Sequence, residues 1–241
     1  MSPDEVTSGV VRGRGTDVNF WLLREGDELT LVDSGYPGDV ETVEAAIRSL
    51  GLRPESVRAI LLTHAHVDHI GAAQHFHDRY GVPTWTGRDE AAHARREHLE
   101  QAGPRDVLRN AWRPGVLPWA LRVSRQGATR PCAAPDAQAF MEPGPLDLPG
   151  RPVPVAMPGH TTGHTAYHLP AAGALLTGDG LVTGHPLLRR TGPQLLPAMF
   201  HHGDPRAGLT AIEDVEADLV LPGHGEPLRM PVREAVAAAR G

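Results

Sequence analysis

The chain has 241 residues, 40% of them hydrophobic and 22% charged, which fits one large globular domain and would also permit two smaller ones. A net charge of −6 excludes a global basic footprint for nucleic acid, and the single cysteine, Cys132, excludes an internal disulfide and every cysteine-rich zinc knuckle. Asp4 and Glu5 stand where a leader would be basic, and no apolar run approaches a membrane span, so the expectation is a cytoplasmic chain without a membrane partner.

In chain order, residues 6–12, 18–23 and 29–32 read as short strands separated by Gly13-Arg14-Gly15 and Glu25-Gly26-Asp27, an antiparallel meander that Asp33-Ser34-Gly35 closes. Over 39–50, Val40, Val43, Ala46, Ile47 and Leu50 fall at helical spacing, with acidic residues early and Gly51 at the end, and this helix covers the sheet. Residues 59–62 form a continuous apolar strand whose carboxyl end delivers Thr63-His64-Ala65-His66-Val67-Asp68-His69. A helix over 70–80, ended by Gly81, and a strand over 83–86 complete an alternation that predicts layered α/β structure.

From about 88 to 149 the pattern weakens. Residues 89–101 are charged and helical in character, and Trp112, Trp119 and a Pro/Ala/Gly-rich stretch around Cys132 follow. This segment reads either as an insertion that shapes or covers a cleft, or as a surface helix pair with a mobile loop. Strands are expected again at 153–157, 166–169, 174–176 and 218–221, with helices at 205–215 and 232–240. Three turns in this half carry a candidate ligand: Pro158-Gly159-His160, Thr177-Gly178-Asp179 and Pro222-Gly223-His224.

Three imidazoles and a carboxylate in six positions cost stability if buried unpaired, so His64, His66, Asp68 and His69 either lie on a polar surface loop or hold a cation. A loop leaving a strand can point His64 and His66 one way and Asp68 and His69 another, which suits two adjacent cations. With His160, Asp179 and His224 the set reaches seven N/O ligands and no sulfur. Imidazole and carboxylate suit zinc, iron, manganese or cobalt, and the lack of thiolate argues against a purely structural zinc.

The ordered set His64, His66, Asp68, His69, His160, Asp179, His224 resembles the metallo-β-lactamase-fold hydrolase superfamily, and Asn19 with Leu31-Val32-Asp33-Ser34-Gly35 resembles that family's opening strands. The resemblance, which spans nearly the whole chain except the segment at about 88–149, implies an α/β four-layer αββα sandwich of two mixed sheets with outer helices and a site at one edge; the expectation is one domain over 1–241, with that segment as a partly helical insertion. It implies that His64, His66 and His160 hold one divalent ion and Asp68, His69 and His224 a second, with Asp179 bridging. Zinc is the first choice of metal, with iron or manganese as alternatives. Three ligands plus a bridge leave each ion an open position, the mark of a catalytic site. The implied reaction is hydrolysis of a small-molecule substrate by a bridging hydroxide, with Asp68 orienting the nucleophile and moving its proton. Asp33 either orients a ligand histidine or caps its own turn.

Departures from particular branches narrow the substrate. Cys132 precedes His160, unlike the late cysteine ligand of the best-known class B β-lactamases, and Asp179 departs from their all-histidine relatives. Glyoxalase II shares all seven ligands but adds a C-terminal helical domain, so a short glyoxalase-II-like form is what fits. Acyl-homoserine lactonases share the set and use a tyrosine, for which Tyr36, Tyr80 and Tyr167 are the candidates. The expectation is a thioester, ester or lactone. The alternatives are a mononuclear iron persulfide dioxygenase and a non-catalytic metal-binding member of the fold.

Outside the set, His75, His77, His93 and His98 read as solvated or hydrogen-bonded helix residues, and His164 as a loop hydrogen-bonding group. Among His185, His201 and His202 in the long connector, His202 leads as a substrate contact because Asp204 could orient it. Trp112 and Trp119 either line an apolar substrate wall or anchor the insertion. Nothing in the pattern sets an oligomeric state.

Overall fold

A computed structural model describes residues 4–141 and 144–241. Among these, the first sheet runs in sequence order: β1 (Asp4–Thr7), β2 (Val10–Arg14), β3 (Asn19–Glu25), β4 (Glu28–Val32), β5 (Val57–Leu61), β6 (Thr84–Thr86) and β7 (Gln138–Ala139). Its first four strands pair antiparallel and β4 to β7 pair parallel, so the sheet is mixed. The second sheet contains β8 (Val153–Ala156), β9 (Thr165–Leu169), β10 (Ala174–Gly178), β11 (Leu219–Pro222) and β12 (Leu228–Arg229), in spatial order β12-β11-β10-β9-β8 with β10 and β11 parallel. The helices are α1 (Val40–Ser49), α2 (Val67–Ile70), α3 (Ala73–Tyr80), α4 (Arg88–Ala94), α5 (Pro104–Asn110), α6 (Val116–Arg125), α7 (Pro205–Ile212) and α8 (Val232–Arg240).

Strand alternation sorts the side chains into layers, because successive residues point to opposite faces. Trp21, Leu23, Val32 and Leu61 of the first sheet meet Tyr167, Leu176, Leu219 and Leu221 of the second, forming the inter-sheet core. Their neighbours Phe20, Leu22, Leu31 and Ile60 face the other way, onto Val43 and Ile47 of α1 and Phe76 of α3. On the far side, Leu175 and Val220 face Leu209, Ile212, Val232 and Val236 of α7 and α8. The result is the αββα sandwich. A smaller cluster joins Trp119 and Val123 of α6 to Val67, Leu196 and Phe200.

The structure departs from the sequence expectations at particular points. The strand expected over 6–12 is two strands, broken at Gly9, which has a φ of +72°. The helix expected over 70–80 divides at Gly71, whose N–H donates 2.7 Å to Gly35 O, outside the helix ladder. A Cβ on Gly71 would stand 2.1 Å from Tyr36 C, so the close approach requires glycine. The helix expected over 89–101 stops at Ala94: Arg96 has a φ of +64°, and its guanidinium bonds the carbonyls of Ala65, His93 and Cys132. Strands β7 and β12, two residues each, were not expected and extend the two sheets at their edges. Among the described residues, no helix is long and apolar enough to cross a membrane.

Candidate metal centre

Five loops that follow strand ends meet at one edge of the sandwich: those after β4, β5, β8, β10 and β11. They carry Asp33, then His64 to His69, then His160, Asp179 and His224. The seven ligand candidates fall into three overlapping groups, His64/His66/His160, His64/His69/Asp179 and Asp68/His69/His224, each with one ligand atom per residue within 4.8 Å of the others. Asp179 lies between the two ends: its Oδ2 is 3.6 Å from His160 Nε2 and 3.1 Å from His224 Nε2, and its Oδ1 is 3.3 Å from His69 Nε2.

The inward-facing atoms include groups that the protein leaves without a partner. Among the described residues, His64 Nε2, His69 Nε2 and Asp179 Oδ1 are buried and make no hydrogen bond. Such orphans are costly unless something else completes them, and two imidazoles plus a carboxylate are the donor set that a divalent cation completes. The outward nitrogens of four of these rings have protein partners, the arrangement that fixes tautomer and ring direction in metal sites. His69 Nδ1 lies 2.8 Å from Asp33 Oδ2, His64 Nδ1 lies 3.1 Å from Thr63 Oγ1, His224 Nδ1 bonds Asp17 O, and His66 Nε2 bonds Glu100 O. These residues fit the divalent ions that the fold implies.

The electrostatics divide the cluster. Burial, then the crowding of His69, His66 and His160, pushes the His64 pKa well below its usual value, and burial brings His66 down to about 4, so both rings are held neutral, the form in which imidazole can accept a cation. Burial also opposes charge on His69 and His224, but the carboxylates win: Asp179, Asp33 and Asp68 raise His69 well above its ordinary value, and Asp179 with Asp68 raises His224 to about 10. Despite its own burial, Asp68 is held at about 2 by His69 and His224. A cation bound at that end would have to displace those protons.

Two supports lie outside the ligand set. Glu90 of α4, 1% exposed, accepts from Ala65 N–H, Thr161 Oγ1 and His93 Nδ1, each at 2.7 Å, and so ties the loop of His64 and His66 to the loop of His160. His93, expected to be solvated, is fully buried because it pairs with Glu90; His98 stays nearly half exposed and stacks on it. On the other side, Asn19 Nδ2 donates to the carbonyls of Pro222 (2.9 Å) and Gly225 (2.8 Å), while buried Arg12 clamps Asn19 Oδ1, Gly225 O and Glu226. This clamp fastens the turn carrying His224 across to the first sheet. In that turn a Cβ on Gly223 would stand 2.4 Å from Asp179 Oδ1, inside the cluster.

A cleft of about 580 Å³ opens above the ligands, reaching Asp68, Asp179, His66 and His224 at its floor. Trp119 lines it; Trp112 does not and stands 81% exposed, in the turn between α5 and α6. His202 also lies outside the lining, where its N–H donates to His160 O, and Asp204 caps α7 through Arg206 N–H rather than orienting His202. The connector histidine in the cleft is His185, with its ring 4.9 Å from His224. Its Nδ1 accepts from Leu187 N–H at 3.1 Å, so the proton sits on Nε2, and burial followed by His224 lowers its pKa to about 3. Sequence reasoning missed Glu90, whose only signal is the i, i+3 spacing to His93, and it missed the Arg12 clamp, which spans more than two hundred residues.

Facing mixed sheets with a His/Asp cluster where their strands end are the architecture of the metallo-hydrolase superfamily. The chain belongs to the metallo-beta-lactamase superfamily, whose family model matches residues 13–224. A probable metallo-hydrolase of Bacillus subtilis, YybB, is 26% identical over 215 residues, covering 88% of this chain and 82% of that protein. A hydroxyacylglutathione hydrolase of Alkalilimnicola ehrlichii is 38% identical over 148 residues, which are 61% of this chain and 41% of that enzyme. Among solved structures, a metallo-beta-lactamase family protein from Thermus thermophilus superposes with a TM-score of 0.65 at 24% identity, covering 97% of this chain and 79% of the other. A HARLDQ-motif metallo-beta-lactamase of Cronobacter sakazakii does so with a TM-score of 0.68 at 19% identity, covering 100% and 92%. At these identities the structural likeness is one of fold.

Proposed function

We propose that the chain is a binuclear metal-dependent hydrolase that cleaves a thioester, ester or lactone of a small molecule. The observation that carries the reading is the set of buried, unpartnered atoms on His64, His69 and Asp179 within one His/Asp cluster, four of whose members, His66, Asp68, Asp179 and His224, line an open cleft. His64, His66 and His160 would hold one ion, Asp68, His69 and His224 the other, with Asp179 between them. Bound there, two divalent ions, zinc by donor preference, would lower the pKa of a shared water and polarise a carbonyl.

The chain's own contributions follow from where its groups sit. Asp68 is the candidate ligand carboxylate most open to the cleft, with 15% of its side chain exposed, so by position it could orient a nucleophile and pass on its proton. Asp33, Thr63 and Asp17 O fix the imidazole directions, so little reorganisation remains at the moment of reaction. His185 offers an N–H toward the same cleft, suited to a substrate oxygen.

The test is elemental analysis together with a panel of thioesters, esters and lactones. Zinc-loaded protein is expected to carry two ions per chain and to hydrolyse members of the panel without consuming oxygen. His66→Ala should lose metal and more than about 100-fold in rate. Full activity in that variant, or one iron per chain with oxygen uptake, would overturn the proposal.

A further inference from the structure

We infer that the cleft selects substrates with an uncharged, apolar substituent on the scissile carbonyl, an inference that rests on the hydrolase reading. Only the floor of the cleft is ionic, where Asp68, Asp179, His66 and His224 converge. Its walls are Val67 from α2, Val107 from α5, Trp119 and Val123 from α6, and Leu196 with Phe200 from the connector.

These walls are built rather than incidental. Trp119 and Phe200 meet edge to face at 5.6 Å, and His185 closes the angle between them at 5.8 and 5.5 Å, leaving rigid aromatic surface beside the ligand cluster. Leu99 and Leu108, 66% and 71% exposed, also line the cleft, so apolar side chains stand on its exposed part as well as on the buried walls, beside the uncharged polar Gln101, Ser124 and Thr129. A volume of about 580 Å³ lies within the usual range for small-molecule sites, roughly 300–1,000 Å³.

The charge pattern excludes the opposite choice. Among the described residues lining the cleft there is no arginine, although the chain carries 23 basic residues. An anionic substituent such as the two carboxylates of a glutathione moiety would lie against apolar walls with no cation to pair it, a costly desolvation. A neutral alkyl or aryl chain gains there with every methylene removed from water.

The test uses the metal-loaded full chain and a series of thioesters with one neutral thiol, N-acetylcysteamine, and straight acyl groups from two to ten carbons. The same acyl groups on glutathione isolate the effect of charge. kcat/KM is expected to rise about two- to fourfold per methylene until the cleft is filled, and each neutral ester should exceed its glutathione counterpart at least about tenfold. Trp119→Ala should flatten the chain-length slope without changing metal content. Leu108→Ser, at an exposed position where folding is not at stake, should lower the slope for the longest chains. A flat slope, or preference for the glutathione esters, overturns the apolar cleft. Uncleavable thioether analogues, read by tryptophan fluorescence, separate the two levels. Chain-length-dependent binding without turnover overturns the hydrolase reading alone, and turnover without chain-length dependence overturns the apolar cleft alone.

Discussion

Two buried carboxylates that are not ligands hold the ligand loops, and each makes a prediction at the scale of a residue. Asp33 sits at a φ of +58°, a conformation that costs a non-glycine residue on the order of 1 kcal/mol or more. It is kept there because its N–H donates to Leu61 O while its carboxylate accepts from Thr63 N–H, Thr63 Oγ1 and His69 Nδ1, all at 2.8–2.9 Å. Asp33→Ala should therefore weaken metal binding by about 10- to 100-fold in a chelator competition, with the sandwich still formed. Glu90 bonds none of the seven candidate ligand rings, and its removal, like that of Asp33, strands buried donors: Ala65 N–H, the Thr161 hydroxyl and the His93 ring. Glu90→Ala should cost about 3–5 kcal/mol in denaturant unfolding. A loss below about 1 kcal/mol would show that water replaces the carboxylate.

Between elements, α1 and α3 are joined by a polar clasp at the surface of the first sheet. Glu44 of α1 accepts from Tyr80 and His75 of α3 and from Arg48 one turn along its own helix. Burial raises its pKa, but these bonds outweigh burial and bring it from 4.5 to about 2. A depressed carboxylate pKa stabilises the fold above the unfolded value, so this contribution is complete above pH 4.5 and is lost as pH falls toward 2. Glu44→Gln should melt lower at neutral pH and show a flatter melting temperature than the parent across that acid window. The same helices show how far the sequence is legible. The period of 3.6 gives α1, and alternation with apolar runs gives the longer strands, because burial of one face writes itself into residue order. The break at Gly71 escapes that logic: it answers to the backbone of residues 35 and 36, which lies beside it only in the fold. Strands of two residues carry no period at all, and Trp112 and Trp119 are alike as letters although one is exposed and the other packed.

Across the molecule, the ligand cluster is divided between the sheets: His64, His66, Asp68 and His69 come from the first, and His160, Asp179 and His224 from the second. Their order along the chain was legible because metal chemistry restricts the letters, whereas the clamp of Arg12, Asn19 and Glu226 was not, since ordinary polar residues serve it. A cation held by both halves acts as a cross-link that the unfolded chain cannot reproduce, and it also completes buried atoms that otherwise go unpaired. Binding to the native state at a concentration a thousandfold above Kd adds about 4 kcal/mol. For a chain of this length, about 2–4 °C per kcal/mol makes that a shift on the order of 10 °C. Chelation should lower the melting temperature by about this amount, and zinc should restore it. In His66→Ala the zinc-dependent rise should shrink, since His66 Nδ1 and His160 Nε2, 3.0 Å apart, face each other across the sheet junction. A melting temperature indifferent to chelator would mean that the two sheets hold the cluster in place unaided, and that the ions serve chemistry without contributing to the fold.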